Sequence, residues 1–307
     1  MTELNHKCAN LIIAGFGKAG TTSLFEYLSS HPDICGSAVK ETKFFMPLKF
    51  RKPLPSLNEY SKFWSHSHGQ KYLLDASPSY GFGGRALAEA MKKNLREDLK
   101  LIFILREPVG KVFSWYRYMQ STRLKIPMEI TFEKFLEYSF NEIDLAETEF
   151  RDTPYSKGVS NGLYIKALPV WFELFGKENI KLFFYDDLRS DSKKIVTEIC
   201  NWLKIDPSLI DETKLHQVAN KTMNYRSGRI HKVLKSVSNL IPSSMKRSGS
   251  VFRSLKKTYN KFSQVERNDQ MNAETKKNLH EFFQPHNKLL AEFLKEKGYS
   301  DLPLWLK

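Results

Sequence analysis

Residues 11–24 read Leu-Ile-Ile-Ala-Gly-Phe-Gly-Lys-Ala-Gly-Thr-Thr-Ser-Leu. Four apolar residues stop at Gly15, a glycine-rich stretch carries Lys18, and Thr21, Thr22 and Ser23 open an amphipathic segment. The order predicts a buried strand, a tight loop and the first turn of a helix, whose unpaired N–H groups and positive dipole end attract an anion. The spacing narrows the choice. A kinase-type loop, G-x-x-x-x-G-K-[ST], sets its lysine directly after the second glycine. Counted from Gly15 the second glycine is Gly20, which Thr21 follows, and the loop's lysine stands two positions earlier, at Lys18.

Outward from this loop the chain alternates strand and helix. Strands are expected at 11–14, 71–74, 100–105 and 180–185, and helices at 21–29, 85–96, 108–120, 131–138, 162–175 (kinked at Pro169), 191–202 and 272–294. Such alternation implies a parallel sheet covered on both faces, with ligands at the carboxyl ends of its strands. A chain of 307 residues suffices for one such α/β domain, and the expectation is a single domain over 1–307.

The net charge of +14 points to anionic partners. It is concentrated: twelve Lys/Arg and no Asp/Glu lie between Thr213 and Val265. Such a run is expected to be a solvated face or mobile segment, or else a cofactor lid or an acidic-substrate surface. No nucleic-acid-reading motif accompanies it, so no nucleic-acid partner is expected. Cys8, Cys35 and Cys200 are odd in number and widely spaced, against a disulfide framework or a zinc site. No apolar run is long enough to span a bilayer, and the default expectation is a cytoplasmic protein.

Three further stretches carry chemistry. In Leu105-Arg106-Glu-Pro108-Val-Gly-Lys111-Val-Phe-Ser114-Trp115, Arg106 falls just past a strand and Ser114 two turns into the next helix, a guanidinium fork and a hydroxyl for one phosphate. Lys40-Glu41-Thr42-Lys43-Phe44-Phe45 offers a carboxylate base among cations. Asp75-Ala76-Ser77-Pro78-Ser79-Tyr80 follows the second predicted strand, and Asp75 there has a second reading, as a magnesium ligand of a kinase. The histidines form no catalytic set, and no metal-spaced cluster or G-x-S-x-G occurs.

Together these stretches resemble the sulfotransferases that use 3′-phosphoadenylyl sulfate (PAPS). Gly15 to Leu24 is similar to their 5′-phosphosulfate loop, G-x-x-K-[AGS]-G-T-[TS]-x-L, and Leu105 to Trp115 to their 3′-phosphate motif, with Lys111 where many relatives carry Arg. Glu41 to Phe45 resembles the E-x-[HKQ]-F-F of heparan-type members, and Asp75 to Tyr80 their [DE]-x-[ST]-P-x-Y element, with Ala76 where Lys is common. Gly162-Leu-Tyr164 through Leu188 follows the family's spacing of core residues. The branch it resembles is the heparan or glycan type with its bacterial relatives.

The resemblance implies a P-loop nucleotide-kinase-like α/β fold. It also implies transfer of a sulfuryl group from PAPS, leaving 3′-phosphoadenosine 5′-phosphate (PAP), to a hydroxyl or amine of a small-molecule or glycan acceptor, without a required metal. Lys18, Ala19, Gly20, Thr21, Thr22 and Ser23 would hold the 5′-phosphosulfate, Arg106 and Ser114 the 3′-phosphate, and Arg226 or Arg229 would close over the nucleotide. Glu41 would be the base, with Lys18 and Lys43 supplying positive charge. Lys43, Ser77, Tyr80, Trp115 and Tyr164 would face the acceptor. The alternatives are an ATP-dependent kinase with a degenerate P-loop and a non-enzymatic polyanion-binding protein.

Overall fold

A five-stranded parallel sheet organises the molecule, in the order β2–β3–β1–β4–β5. The structure is a computed structural model and describes residues 7–143, 153–215 and 270–307. The strands are β1 (Leu11–Gly15), β2 (Ile34–Gly36), β3 (Tyr72–Asp75), β4 (Lys100–Leu105) and β5 (Ile180–Phe184). The principal helices are α1 (Thr21–Leu28), α2 (Arg85–Asn94), α3 (Pro108–Ser121), α4 (Phe132–Asn141), α5 (Leu168–Phe175), α6 (Tyr185–Ser190), α7 (Ser192–Leu203) and α8 (Ala273–Glu296).

β1 is buried along its whole length because both of its faces are covered, which is why it reads as an unbroken apolar run. Alternation sorts the strand residues between two cores. Ile12, Ala14, Leu101, Phe103, Leu105 and Leu182 join one, with Met91 of α2, Trp171 of α5 and Leu294 of α8. Leu11, Ile13, Ile102 and Ile104 join the other, with Leu24 and Leu28 of α1 and Ile199 and Leu203 of α7. Each fully buried side chain of this size contributes about 1.5–3 kcal/mol, so the sheet is the most strongly fixed part of the molecule. β1 has β3 on one side and β4 on the other. The chain therefore leaves β1 toward one edge and resumes on the opposite side, making the carboxyl end of β1 the switch point where ligands of such sheets bind.

The described residues fall into two compact units. The sheet unit takes those within Met1–Lys111, Asn161–Ala219 and Leu279–Lys307. The other takes those within Val112–Ser160 and Asn220–Asn278. In the second unit, Phe113, Tyr116, Phe132 and Phe135 pack together. Tyr116 donates to the Ile130 carbonyl at 2.7 Å, and Gln120 Nε2 donates to the carbonyls of Pro127, Met128 and Ile130.

The α/β class and parallel sheet are as the sequence predicts, and the three cysteines are free. Three local expectations are corrected. β2 was not anticipated, because three residues carry no readable period. The segment from Gly162 is not one kinked helix: single 3₁₀ turns precede α5, and Pro169 sits in its first turn, where a missing N–H costs nothing. Tyr185 opens α6 instead of closing β5. Most of the basic segment, with Arg226 and Arg229, lies outside the described residues.

Candidate active site

The phosphate-type loop leaves the carboxyl end of β1. Phe16 N–H donates to the Ile104 carbonyl at 3.0 Å, fastening the loop to β4. The Phe16 ring turns inward, with centroids 4.6 Å from Phe82, 4.8 Å from Tyr164 and 5.7 Å from Phe103. Lys18 takes a left-handed conformation at φ 66°, and Gly20 follows at φ 85°. A Cβ on Gly20 would lie 2.9 Å from Leu188 Cδ2 and 3.3 Å from Tyr185 Cδ2, so glycine is needed for both conformation and space. Ala19 packs its methyl into the core. Gly20 is the N-cap of α1 and brings no side chain to cap it. Thr21 and Ser23 are themselves buried, leaving Thr22 the more open hydroxyl.

Arg106 follows β4 and reaches this loop. Its Nη1 donates to the Lys18 carbonyl at 3.1 Å, and its guanidinium stacks 4.5 Å from the Tyr185 ring centre. Tyr164 pins the Arg106 backbone: its hydroxyl donates to the Arg106 carbonyl at 2.8 Å and accepts from the Arg106 N–H at 3.2 Å. Glu107 makes no pair with Arg106; it caps α3, accepting from the N–H groups of Val109 at 2.9 Å and Gly110 at 2.6 Å. Lys111 is buried, its ammonium 4.7 Å from the Tyr164 ring centre, 5.1 Å from Phe82 and 5.4 Å from Phe16, donating to the Asn161 carbonyl. Burial, with Arg106 nearby, pushes its pKa well down. It supports the loop from the core side instead of lining the cleft.

A second cluster forms beyond β2 and β3. Glu41 is flanked by Lys43 Nζ at 3.2 Å and Lys40 Nζ at 3.4 Å. Burial pushes the Glu41 carboxyl up, but the two ammonium groups outweigh it and hold the pKa below the usual value. Lys40 is pulled down by burial, against the opposing pull of Glu41. Behind them Asp75 is fully buried and accepts from four hydroxyls, those of Thr42, Tyr60, Tyr80 and Ser77. Burial raises its pKa, while those hydroxyls pull it back. Such a set suits a hydrogen-bonded anchor and does not suit a magnesium ligand.

The structure thus brings Lys18, Ala19, Gly20, Thr21, Thr22, Ser23 and Arg106 together around one loop, and Glu41 and Lys43 around another. Ser77, Tyr80 and Tyr164, expected to face an acceptor, are corrected. All three are buried and their hydroxyls are committed to Asp75 or to the Arg106 backbone, so they support the site from within. Ser114 and Trp115 belong to the second unit, where the Trp115 indole N–H donates to the Pro154 carbonyl at 2.8 Å. The sequence reading missed Tyr185 as the platform under Arg106. Lys40 and Thr42 were legible only as neighbours of Glu41.

The chain belongs to the sulfotransferase domain family, whose model matches residues 9–293. It is 27% identical over 225 residues to human heparan sulfate glucosamine 3-O-sulfotransferase 3A1, covering 73% of this chain and 50% of that protein. It is 23% identical over 311 residues to the bifunctional heparan sulfate N-deacetylase/N-sulfotransferase of Drosophila melanogaster, covering 96% of this chain and 27% of that protein. The chain thus spans between a quarter and a half of the length of these relatives. The crystal structure of a sulfotransferase from Alicyclobacillus acidocaldarius superposes with a TM-score of 0.66 at 20% identity, covering 97% of this chain and 99% of that one, and shares the fold. Among the described residues, no helix is long and apolar enough to cross a membrane.

Proposed function

We propose that this chain transfers a sulfuryl group from PAPS to a hydroxyl or amine of a glycan or small-molecule acceptor. The observation that carries the reading is the bond from Arg106 to the Lys18 carbonyl, which joins two anion-type motifs 88 residues apart in sequence. A donor with phosphate at both its 5′ and 3′ positions needs two such groups held at a fixed separation. The residues fit it: Gly20 in the left-handed conformation opens α1, whose first turn has a positive dipole end that suits an anion.

When bound, PAPS supplies the sulfuryl group, whose bond to the 5′-phosphate breaks as the acceptor atom bonds to sulfur. Lys18 and the amides of Thr21 to Ser23 would stabilise the negative charge that grows on the departing phosphate, and fixed donors of this kind are worth most where water is scarce. Arg106 holds the 3′-phosphate. Glu41 takes the acceptor's proton on a carboxylate oxygen, and Lys43 offsets charge at the transferring group. Lys40 and Lys43 keep Glu41 ionised, so it is ready to accept that proton throughout the neutral range. The scheme calls for no metal. The heparan-type relatives make a polysaccharide the first acceptor to try.

The test is release of PAP from PAPS in the presence of heparan sulfate or a panel of small alcohols and amines, without magnesium. Acceptor-dependent PAP release is expected. Magnesium-dependent ATP turnover with no use of PAPS would point to the kinase alternative, and neither activity to a polyanion-binding protein.

A further inference from the structure

Two residues of the arm that carries the proposed base hold a backbone shape that side chains disfavour. Glu41 has φ 64° and Lys43 φ 54°, both left-handed and neither a glycine. Such conformations persist only where the surroundings impose them, and they gather at functional sites. The surroundings here are a set of hydrogen bonds with one direction. The Lys43 N–H donates to Ser77 Oγ at 3.0 Å, the Phe44 N–H to Thr42 Oγ1 at 3.4 Å and the Phe45 N–H to the Tyr80 hydroxyl at 3.4 Å. Each of those hydroxyls passes its own proton inward to Asp75: Thr42 at 2.6 Å and Tyr80 at 3.2 Å to Oδ2, Ser77 at 2.9 Å to Oδ1. Tyr60 adds a fourth donor, at 3.0 Å to Oδ2. The Glu41 N–H is fixed separately, to the Ala76 carbonyl at 3.1 Å.

A hydroxyl has one proton to give and lone pairs to receive. An ionised carboxylate only accepts, so it draws every hydroxyl proton inward and leaves the oxygen lone pairs facing the arm. The arm's three successive amides are received on those lone pairs. A neutral carboxamide at position 75 would present donors of its own and force at least one hydroxyl to reverse.

We propose that Asp75 is a positioning residue for the acceptor half of the site, holding Glu41 and Lys43 in their left-handed conformations through Thr42, Ser77 and Tyr80. This rests on the reading of Glu41 as the proton acceptor. Asp75 itself is fully buried and acts through those hydroxyls.

The test compares Thr42→Val, Thr42→Ser and Asp75→Asn in the full chain. Valine has the shape of threonine without the hydroxyl, so Thr42→Val keeps the packing even where Asp75→Asn fails to fold. Misplacing a reacting group by about an ångström costs about 10²-fold. Thr42→Val is therefore expected to lower kcat for PAPS turnover by about that factor while the Kd for PAP is unchanged, with Thr42→Ser restoring turnover. Full kcat in Thr42→Val, or kcat and PAP affinity lost together, would overturn the proposal. A wild-type chain that neither binds PAP nor uses PAPS would remove the sulfotransfer reading alone. The anchor is then judged by a crystal structure of Thr42→Val: departure of Glu41 and Lys43 from positive φ upholds it, and their persistence there overturns it.

Discussion

The loop at residues 15–20 and the Glu41 arm solve one problem by opposite means. Both hold non-glycine residues in the left-handed region, Lys18 in the first and Glu41 and Lys43 in the second. The loop is shaped by main chain: a strand end, Gly20 against Leu188 and Tyr185, an inward Phe16, and a helix start. The arm is shaped by side chains, three hydroxyls that turn their protons toward one buried carboxylate. A charge as large as a phosphate is well met by backbone dipoles that never titrate. On the proposed function Glu41 must sit beside a moving proton, and its placement is entrusted to a buried carboxylate. On the proposed function, the comparison predicts that binding and turnover are separable in this molecule.

The sharpest way to break that separation is Glu41→Gln. Loss of a general base costs about 10²–10⁴ in rate, so turnover of PAPS should fall by that factor with PAP affinity kept, as read by steady-state kinetics beside calorimetry. Near-normal turnover would remove Glu41 from the role. Arg106→Ala should do the reverse. A hydrogen bond to a charged group is worth about 1.5–3 kcal/mol, so PAP should bind roughly ten- to a hundredfold more weakly while ADP, without the 3′-phosphate, changes little.

A smaller effect sharpens the electrostatics of the arm. Lys43 is one of two cations that hold the Glu41 pKa down. Activity is lost on the acid side as Glu41 gains its proton, so Lys43→Ala should move the acid limb of the pH–rate profile to higher pH. A limb that stays in place would separate that cation from Glu41. The least effect on chemistry is expected from Tyr164→Phe, which removes the hydroxyl that brackets the Arg106 backbone. Buried backbone groups left without a partner cost about 1–3 kcal/mol, to be read as a lowered urea midpoint.

The contrast also governs what could be read from the sequence. Leu11–Gly15, Gly20 and Thr21–Leu28 announce themselves because the loop is local: strand, turn and helix start lie within 18 consecutive residues. Lys100–Leu105 and Arg106 are legible for the same reason. Ser77, Tyr80 and Tyr164 were misjudged because a hydroxyl in a motif looks alike whether it faces a cleft or a buried acceptor. Only the fold brings Thr42 across to Asp75, 33 residues away, and Tyr60 across 15. Tyr185 was read as strand because its neighbours Phe183 and Phe184 are buried strand residues, although it opens α6 and its ring lies under Arg106.

The most direct test of the account is a calorimetric titration of the wild-type chain, without magnesium, with PAP and in parallel with ADP. The account predicts saturable binding of PAP and a much weaker response to ADP, because it assigns the 5′-phosphate to Lys18 with the start of α1 and the 3′-phosphate to Arg106. Equal affinity for the two nucleotides, or binding of neither, would contradict it.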